Sequence, residues 1–185
     1  MPASLTNTFR AMAYNNAWAN RRLLGACLGL GQEAFLAART GFFPSIARTL
    51  NHILTVDWFY VDALEGGTLG YAAFEDENPY DAAADLMEAQ SAVDRRLIAV
   101  CDAPDTLDED VRVIRGDRVQ VERRDRLLLH LFQHQIHHRG QAHAMLSGAI
   151  EKPPQLDEFF SAGEAPLRAA EFAALGWTEA RIWGP

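Results

Sequence analysis

Cysteine is scarce in this chain, with two among 185 residues. Cys27 and Cys101 stand too far apart for a C-x-x-C pair, so no dithiol redox motif is written here. Each lies in an apolar, helix-like neighbourhood and reads first as a small buried hydrophobe, with metal ligation or a disulfide as alternatives. Long hydrophobic runs are also missing, since none approaches the roughly 20 apolar residues of a membrane span. The N-terminus lacks the basic n-region and unbroken apolar core of a secretion signal, so the expectation is a cytoplasmic protein with no membrane partner. Positive charge is in deficit: 17 Lys and Arg stand against 25 Asp and Glu, for a net charge of −8. That balance argues against nucleic acid as a partner. No internal repeat, low-complexity tract or linker divides the chain.

What is present suits a folded domain. Hydrophobic residues make up 49% and charged residues 23%, and the length is sufficient for a core without staples. The expected organisation is one domain over residues 1–185, with a core of about 5–160 and a C-terminal extension over 161–185. From about Leu5 to Leu30, Phe9, Met12, Ala13, Ala17, Leu23, Leu24 and Leu28 recur at helical spacing, with Ser4 or Thr6 to cap the start and Gly29 and Gly31 to stop it. After a connection through Gly41-Phe-Phe-Pro44, Ser45 offers an N-cap for a second helix running to about Leu64. Thr68 to Tyr80 shows little periodicity. Asp81 is placed to cap a third helix, roughly Ala82 to Cys101, which Pro104 closes. Val111 to Val121 alternates around Arg115-Gly116-Asp117, the pattern of a small hairpin, in which that tripeptide is a turn and not an adhesion signal. A fourth helix runs from about Arg124 to Ala149, and a weaker fifth near Ala165–Leu175 leads into a Trp-containing tail. The prediction is an all-α fold: an antiparallel four-helix bundle, with a small hairpin before the fourth helix and a short C-terminal helix.

The fourth helix holds the densest chemistry. Four of the six histidines, His130, His134, His137 and His138, fall within nine residues. At about 100° per residue they and Gln141 occupy roughly a 100° arc of one face. One buried imidazole is usually a satisfied core residue, but several on one face are hard to satisfy by hydrogen bonds alone. A solvated polar stripe is the competing reading. His134 and His138 are one turn apart, the spacing that lets two imidazoles reach a single ion. A third ligand is then needed, and His52 is the only histidine outside this helix. His134-Gln-Ile-His137-His138 nearly spells the zincin motif H-E-x-x-H, but Gln135 cannot take a proton, which argues against metalloprotease chemistry.

Leu128, Leu131, Phe132, Ala142 and Leu146 form an apolar stripe beside the histidine arc, while Leu129 and Ile136 lie on the far side with His143, which is expected to be uninvolved. A helix apolar on more than one face is buried on more than one face. Homodimerisation would achieve that, and packing by the C-terminal segment is the alternative. Gly140 inside a helix costs about 1 kcal/mol relative to alanine, which close helix packing would explain. Asp57 lies roughly 140° around the helix from His52, so a structural hydrogen bond suits it better than general-base duty.

The run His134-x-x-x-His138-Arg-Gly-Gln141, with an upstream histidine in Thr49-Leu-Asn-His52-Ile-Leu-x-x-Asp57, closely resembles the DinB-like (YfiT-like) family. Tyr14-Asn-x-x-Trp18-x-Asn20-x-x-Leu23 and the closing Pro-Gln-Leu-Asp157 also look like that family, so the likeness covers Phe9 to Phe160. The resemblance implies a four-helix bundle, often dimeric, with a divalent metal held by three side chains, here His52, His134 and His138. Relatives with assigned activities include bacillithiol S-transferases and mycothiol-dependent isomerases, in which the metal lowers a thiol's pKa and presents the thiolate as nucleophile. Some of the latter carry glutamate where this chain has His134. Three neutral imidazoles around Zn²⁺ or Ni²⁺ leave at least one open coordination position and keep the full +2 charge, which favours hydroxide, carboxylate or thiolate.

The expected function is therefore a metal-dependent enzyme, a thiol S-transferase or a hydrolase, that activates a thiol or water against a small-molecule substrate. The catalytic group itself is not assigned. A non-enzymatic metal-binding, stress-response or sensor protein is the second reading, and a metal-free interaction module is the third. His130, His137, Gln141, Tyr14 and Trp18 are candidates to support the ligands or line the pocket, with plain core roles as the alternative for His130, Tyr14 and Trp18. Arg139 stands between orienting a ligand or dimer partner and a surface salt bridge.

Overall fold

The computed structural model describes residues 5–103 and 107–184, and helices dominate it. Helix α1 spans Leu5–Leu28, α2 Gln32–Leu36, α3 Ile46–Leu64 and α4 Ala83–Asp102. Strands β1 (Asp110–Arg115) and β2 (Arg118–Arg123) form a hairpin that runs directly into α5, Arg124–Ser147. Helices α6 (Ala165–Leu175) and α7 (Glu179–Trp183) follow. No helix among the described residues is long and apolar enough to cross a membrane.

Local chemistry explains most of these boundaries. Ser45 caps α3 from an extended backbone, its hydroxyl accepting from the Arg48 N–H at 3.1 Å. Asp81 does not cap α4. Ala82 occupies the cap position without a side-chain bond, and the Asp81 carbonyl instead accepts from Gln32 Nε2 at 2.7 Å. Thr6 lies inside α1, and Ser4 and Pro104 fall outside the described residues. Helix α2 was not expected, because five residues around the buried Phe35 are too few to show a period. The hairpin is antiparallel with Arg115 opposite Arg118, and Gly116 takes a φ of 64° at the first turn position, as a two-residue II′ loop asks. Its inward residues Val111 and Val113 are buried in the core.

The four long helices share one apolar core. Helix α1 packs on α4 and α5, and α3 packs on the same two. Leu54, Ile46, Leu86, Leu131 and Leu146 are completely shielded, each contributing on the order of 2 kcal/mol of apolar burial. A second cluster forms where the C-terminal segment covers α1, with Tyr14 and Trp18 against Phe159, Phe172 and Ile182. Arg168, buried there, donates to the Glu179 carboxylate and to the Glu158 and Ser161 carbonyls. Cys27 and Cys101 are buried free thiols, pushed up to about 12 by burial, which matches their reading as small hydrophobes.

A polar layer crosses the same core. Asn16 and Asn20 of α1 both donate to Asp94 of α4 and both accept from Nη1 of Arg139 on α5, at 2.6 and 2.8 Å. Gln90 of α4 donates to Asp94 and to Asp57 of α3, and Gln135 of α5 donates to the other Asp57 oxygen. All seven residues are buried. Burial draws the Arg139 guanidinium down to about 10, which leaves it charged, and raises Asp94 to about 6. Burial together with the Asp94 charge holds the Asp57 carboxyl well above the usual carboxylate range. One cation thus serves two buried acids. This layer corrects the surface salt bridge considered for Arg139. Replacing Arg139 with leucine strands two buried acids, so R139L is expected to lose about 3–5 kcal/mol in a urea unfolding titration. A loss under about 1 kcal/mol, the scale of an exposed pair, would refute the layer's role.

Candidate metal centre

The facing surfaces of α3 and α5 bring three imidazoles together. His52 of α3 and His134 of α5 point Nε2 at Nε2 across 3.0 Å. Ligand-capable nitrogens of His52, His134 and His138 all lie within 4.8 Å of one another. The ring centroids are separated by 5.0 Å for His52–His134, 4.6 Å for His52–His138 and 4.4 Å for His134–His138. A tetrahedral ion with metal–nitrogen bonds near 2.1 Å sets its ligand nitrogens about 3.4 Å apart, so small side-chain adjustments suffice to hold one.

The protonation pattern fits a cation as well. Burial, reinforced by the neighbouring histidines, lowers His52 to about 4 and His134 to about 3, and burial lowers His138 too. All three rings are therefore neutral at pH 7 and keep a lone pair for an ion. His138 Nδ1 lies 2.8 Å from Gln141 Oε1; the amide oxygen accepts the Nδ1 proton, which leaves Nε2 free to ligate. His134 Nδ1 is buried without a partner. A cation on Nε2 gives that ring one strong interaction to offset the orphaned atom.

The surroundings were less legible. Phe43, in the connection before α3, packs its ring 4.5 Å from His52 and 5.6 Å from His138, while Phe42 lies 6.5 Å from His138. A cavity of about 280 Å³ opens beside His52, bounded by Phe43, Thr55, Phe74 and Glu77. Another of about 480 Å³ opens beside Gln141 and Phe42. In the sequence, Gly41-Phe-Phe-Pro44 reads only as a connection. Two adjacent aromatics immediately before the helix cap were the available signal.

The remaining expected residues divide. His130 is exposed at the edge of the group, 6.5 Å from the His134 ring. His137 is exposed and meets Gln141 Nε2 at 3.1 Å, so it stands behind the group and not in it. Tyr14 and Trp18 are placed elsewhere: Tyr14 contacts Trp177 and bonds Asp102 and Arg181, and Trp18 donates to Glu171. They belong to the cluster under the C-terminal segment. His143 bonds the Pro154 carbonyl, away from the three.

The fold and this centre define a largely helical protein that presents three neutral histidines able to hold a metal ion. The family model of the DinB family matches residues 1–168 of the 185, and the chain belongs to that family. No curated protein matches the chain.

Two outcomes test the centre. Alanine at His52, His134 or His138 is expected to abolish tight binding in a Zn²⁺ titration of protein purified without a nickel column; stoichiometric binding by H52A would remove the third ligand. The metal-free protein carries a second signature. An unfolded histidine titrates near 6.5, so between pH 6.5 and about 4 the unfolded chain takes up protons that His52 and His134 refuse. Their contribution to stability is present above that window and is lost as pH falls through it. Melting temperatures should show a shallower acid-side slope in H134A than in the wild type, and equal slopes would sink the assignment.

Proposed function

We propose that this protein is a metal-dependent enzyme acting on a small molecule, with a divalent cation, zinc or nickel, held by His52, His134 and His138. The observation that carries this reading is the convergence of three neutral imidazoles beside open cavities. A bound cation keeps its full +2 charge among such ligands and lowers the pKa of a thiol or water sharing the site. Gln141 holds the His138 proton on Nδ1 and so fixes that ring. Phe43 packs its ring against His52 and His138 on one side. A structural ion would suit a closed, dry shell, and the two cavities favour the enzyme over a purely structural ion. Transfer from a low-molecular-weight thiol and hydrolysis are the two reaction classes consistent with this chemistry.

The architecture proposed with it is an antiparallel four-helix bundle forming one cytoplasmic domain over 1–185. Dimerisation through the outer face of α5 completes the reading. Leu129 and Ile136 remain 60% and 47% exposed, Ile136 and Gly140 lining a cavity with Gln155, Leu156 and Phe160 of the C-terminal segment, and an added Cβ on Gly140 would meet nothing within 4 Å. Packing within one chain thus offers no reason for that glycine.

The deciding experiment is a screen of metal-loaded protein against low-molecular-weight thiols paired with electrophilic acceptors, with simple esters and amides alongside. Turnover is expected that disappears on chelation and in H134A; silence across both panels would leave the sensor reading ahead. Gln141→Leu should weaken metal affinity about 10- to 100-fold by freeing the His138 ring, and unchanged affinity would deny Gln141 that role. I136R is expected to convert a dimer to a monomer in sedimentation, while a wild type that is already monomeric would overturn the dimer.

A further inference from the structure

The seam between α3 and α5 continues past the three histidines toward the hairpin. Ring contacts mark its course: His52 faces His134 and His138, and two turns further along α3, Tyr60 faces His130, at 5.2 Å. A cavity of about 280 Å³ opens at that end, lined by Tyr60, Arg115, Gln120, Glu122, Arg126 and His130, with Leu127 at its base. His130 belongs to this cavity and also lies 6.5 Å from the His134 ring, so cavity and candidate ligand are one helical turn apart.

Two arginines and one glutamate line this cavity. Arg123 and Arg124, on the same segment, pair with Asp125 and Glu109. Among the described residues neither Arg115 nor Arg126 forms an ion pair. Arg115 Nη2 donates to the Tyr60 hydroxyl at 3.2 Å, Tyr71 is a second hydrogen-bond partner of the guanidinium, whose carbon lies 5.2 Å from the Phe59 ring centre, and Arg115 Nε is buried without a partner. Glu122 accepts from Gln120 Nε2 at 3.0 Å and not from either arginine. Two arginines against the single Glu122 leave the cavity with a net positive charge, and their planar forks match a carboxylate.

We propose that this cavity is an anion subsite of the metal centre, where Arg115 and Arg126 hold a carboxylate of a small substrate while its reacting end lies at His52, His134 and His138. The Glu122 charge in the same cavity suits a singly charged carboxylate better than a dianionic phosphate. The inference rests on the metal-dependent reading above and supplies its substrate class: a small molecule bearing a carboxylate. It also gives the hairpin a purpose, since the turn of β1 into β2 is what delivers Arg115 beside the first turns of α5.

The test is an NMR titration of metal-free protein with butyrate, with methyl butyrate as the uncharged counterpart. Butyrate should bind saturably and the ester at least tenfold more weakly. Arg126→Gln, at an exposed site where folding is not at stake, should weaken butyrate several-fold, and Arg115→Gln tenfold or more. Arg118→Gln, on the hairpin but outside the cavity, should leave it unchanged. In zinc-loaded protein, glutarate should bind at least tenfold more tightly than in metal-free protein, and R126Q should lose most of that gain while keeping its zinc affinity. Equal binding of the ester, tighter binding of inorganic phosphate than of butyrate, or an equal loss in R118Q would overturn the subsite. Should zinc fail to bind while butyrate keeps its dependence on Arg115 and Arg126, the metal reading falls and the anion site stands. Should zinc bind while R115Q and R126Q change nothing, the subsite alone falls.

Discussion

The packing of α3 against α5 is the contact on which the rest of the structure depends. It is the only place where the His52 ring can meet the two imidazoles of α5, and the same contact removes those rings from water. Desolvation disfavours the imidazolium form, which is why His52 and His134 are driven so far below the ordinary histidine range. The burial that builds the fold thus also keeps three lone pairs available at neutral pH. Shielding is incomplete: Phe43 packs against one side, while cavities remain beside His52, Gln141 and His130.

Much of this was legible in the sequence, for identifiable reasons. The boundaries of α3 and α5 follow from Ser45 and from the long apolar period of the fourth expected helix, while the stop of α6 is a glycine, Gly176 with a φ of 68°, seen in the structure. The pair His134 and His138 follows from spacing alone. The hairpin follows from alternation around a glycine that can take a positive φ. What stayed hidden depends on tertiary placement. Tyr14 and Trp18 share a face of α1, but whether that face meets the histidines or the C-terminal segment is decided by how the chain after α5 returns, and no local signal carries that. Phe43 acts through a loop whose path has no period. Arg115 reaches the seam only because the hairpin folds back on α3.

Gln135 and Arg139 are a different kind of omission, since their positions were readable. At about 100° per residue they project roughly 140° and 180° from His130, inside the sector of Leu128, Leu131, Phe132, Ala142 and Leu146. A polar residue in the middle of an apolar stripe is buried by the same logic as its neighbours, and it then requires partners. Asn16, Asn20, Gln90, Asp57 and Asp94 are those partners, drawn from each of the other three long helices. Read by residue type, Arg139 suggested a surface charge; read by angle, it belongs to the core.

The layer and the metal centre are coupled by the geometry of α5. His134 and Gln135 are adjacent, as are His138 and Arg139, so each ligand sits about 100° from a member of the buried layer. Turning α5 by one residue would move a histidine into the acid-lined core and a layer residue into the seam. Apolar packing alone tolerates part of such a rotation, because Leu129 and Ile136 widen the apolar surface of α5 beyond Leu128, Leu131 and Leu146. A guanidinium that must find Asn16 and Asn20, and an amide that must find Asp57, cannot. Buried polar groups are weak sources of net stability but effective in selecting one register. The layer therefore does for α5 what a single buried asparagine does for a coiled coil: it fixes the rotation that points His134 and His138 at His52.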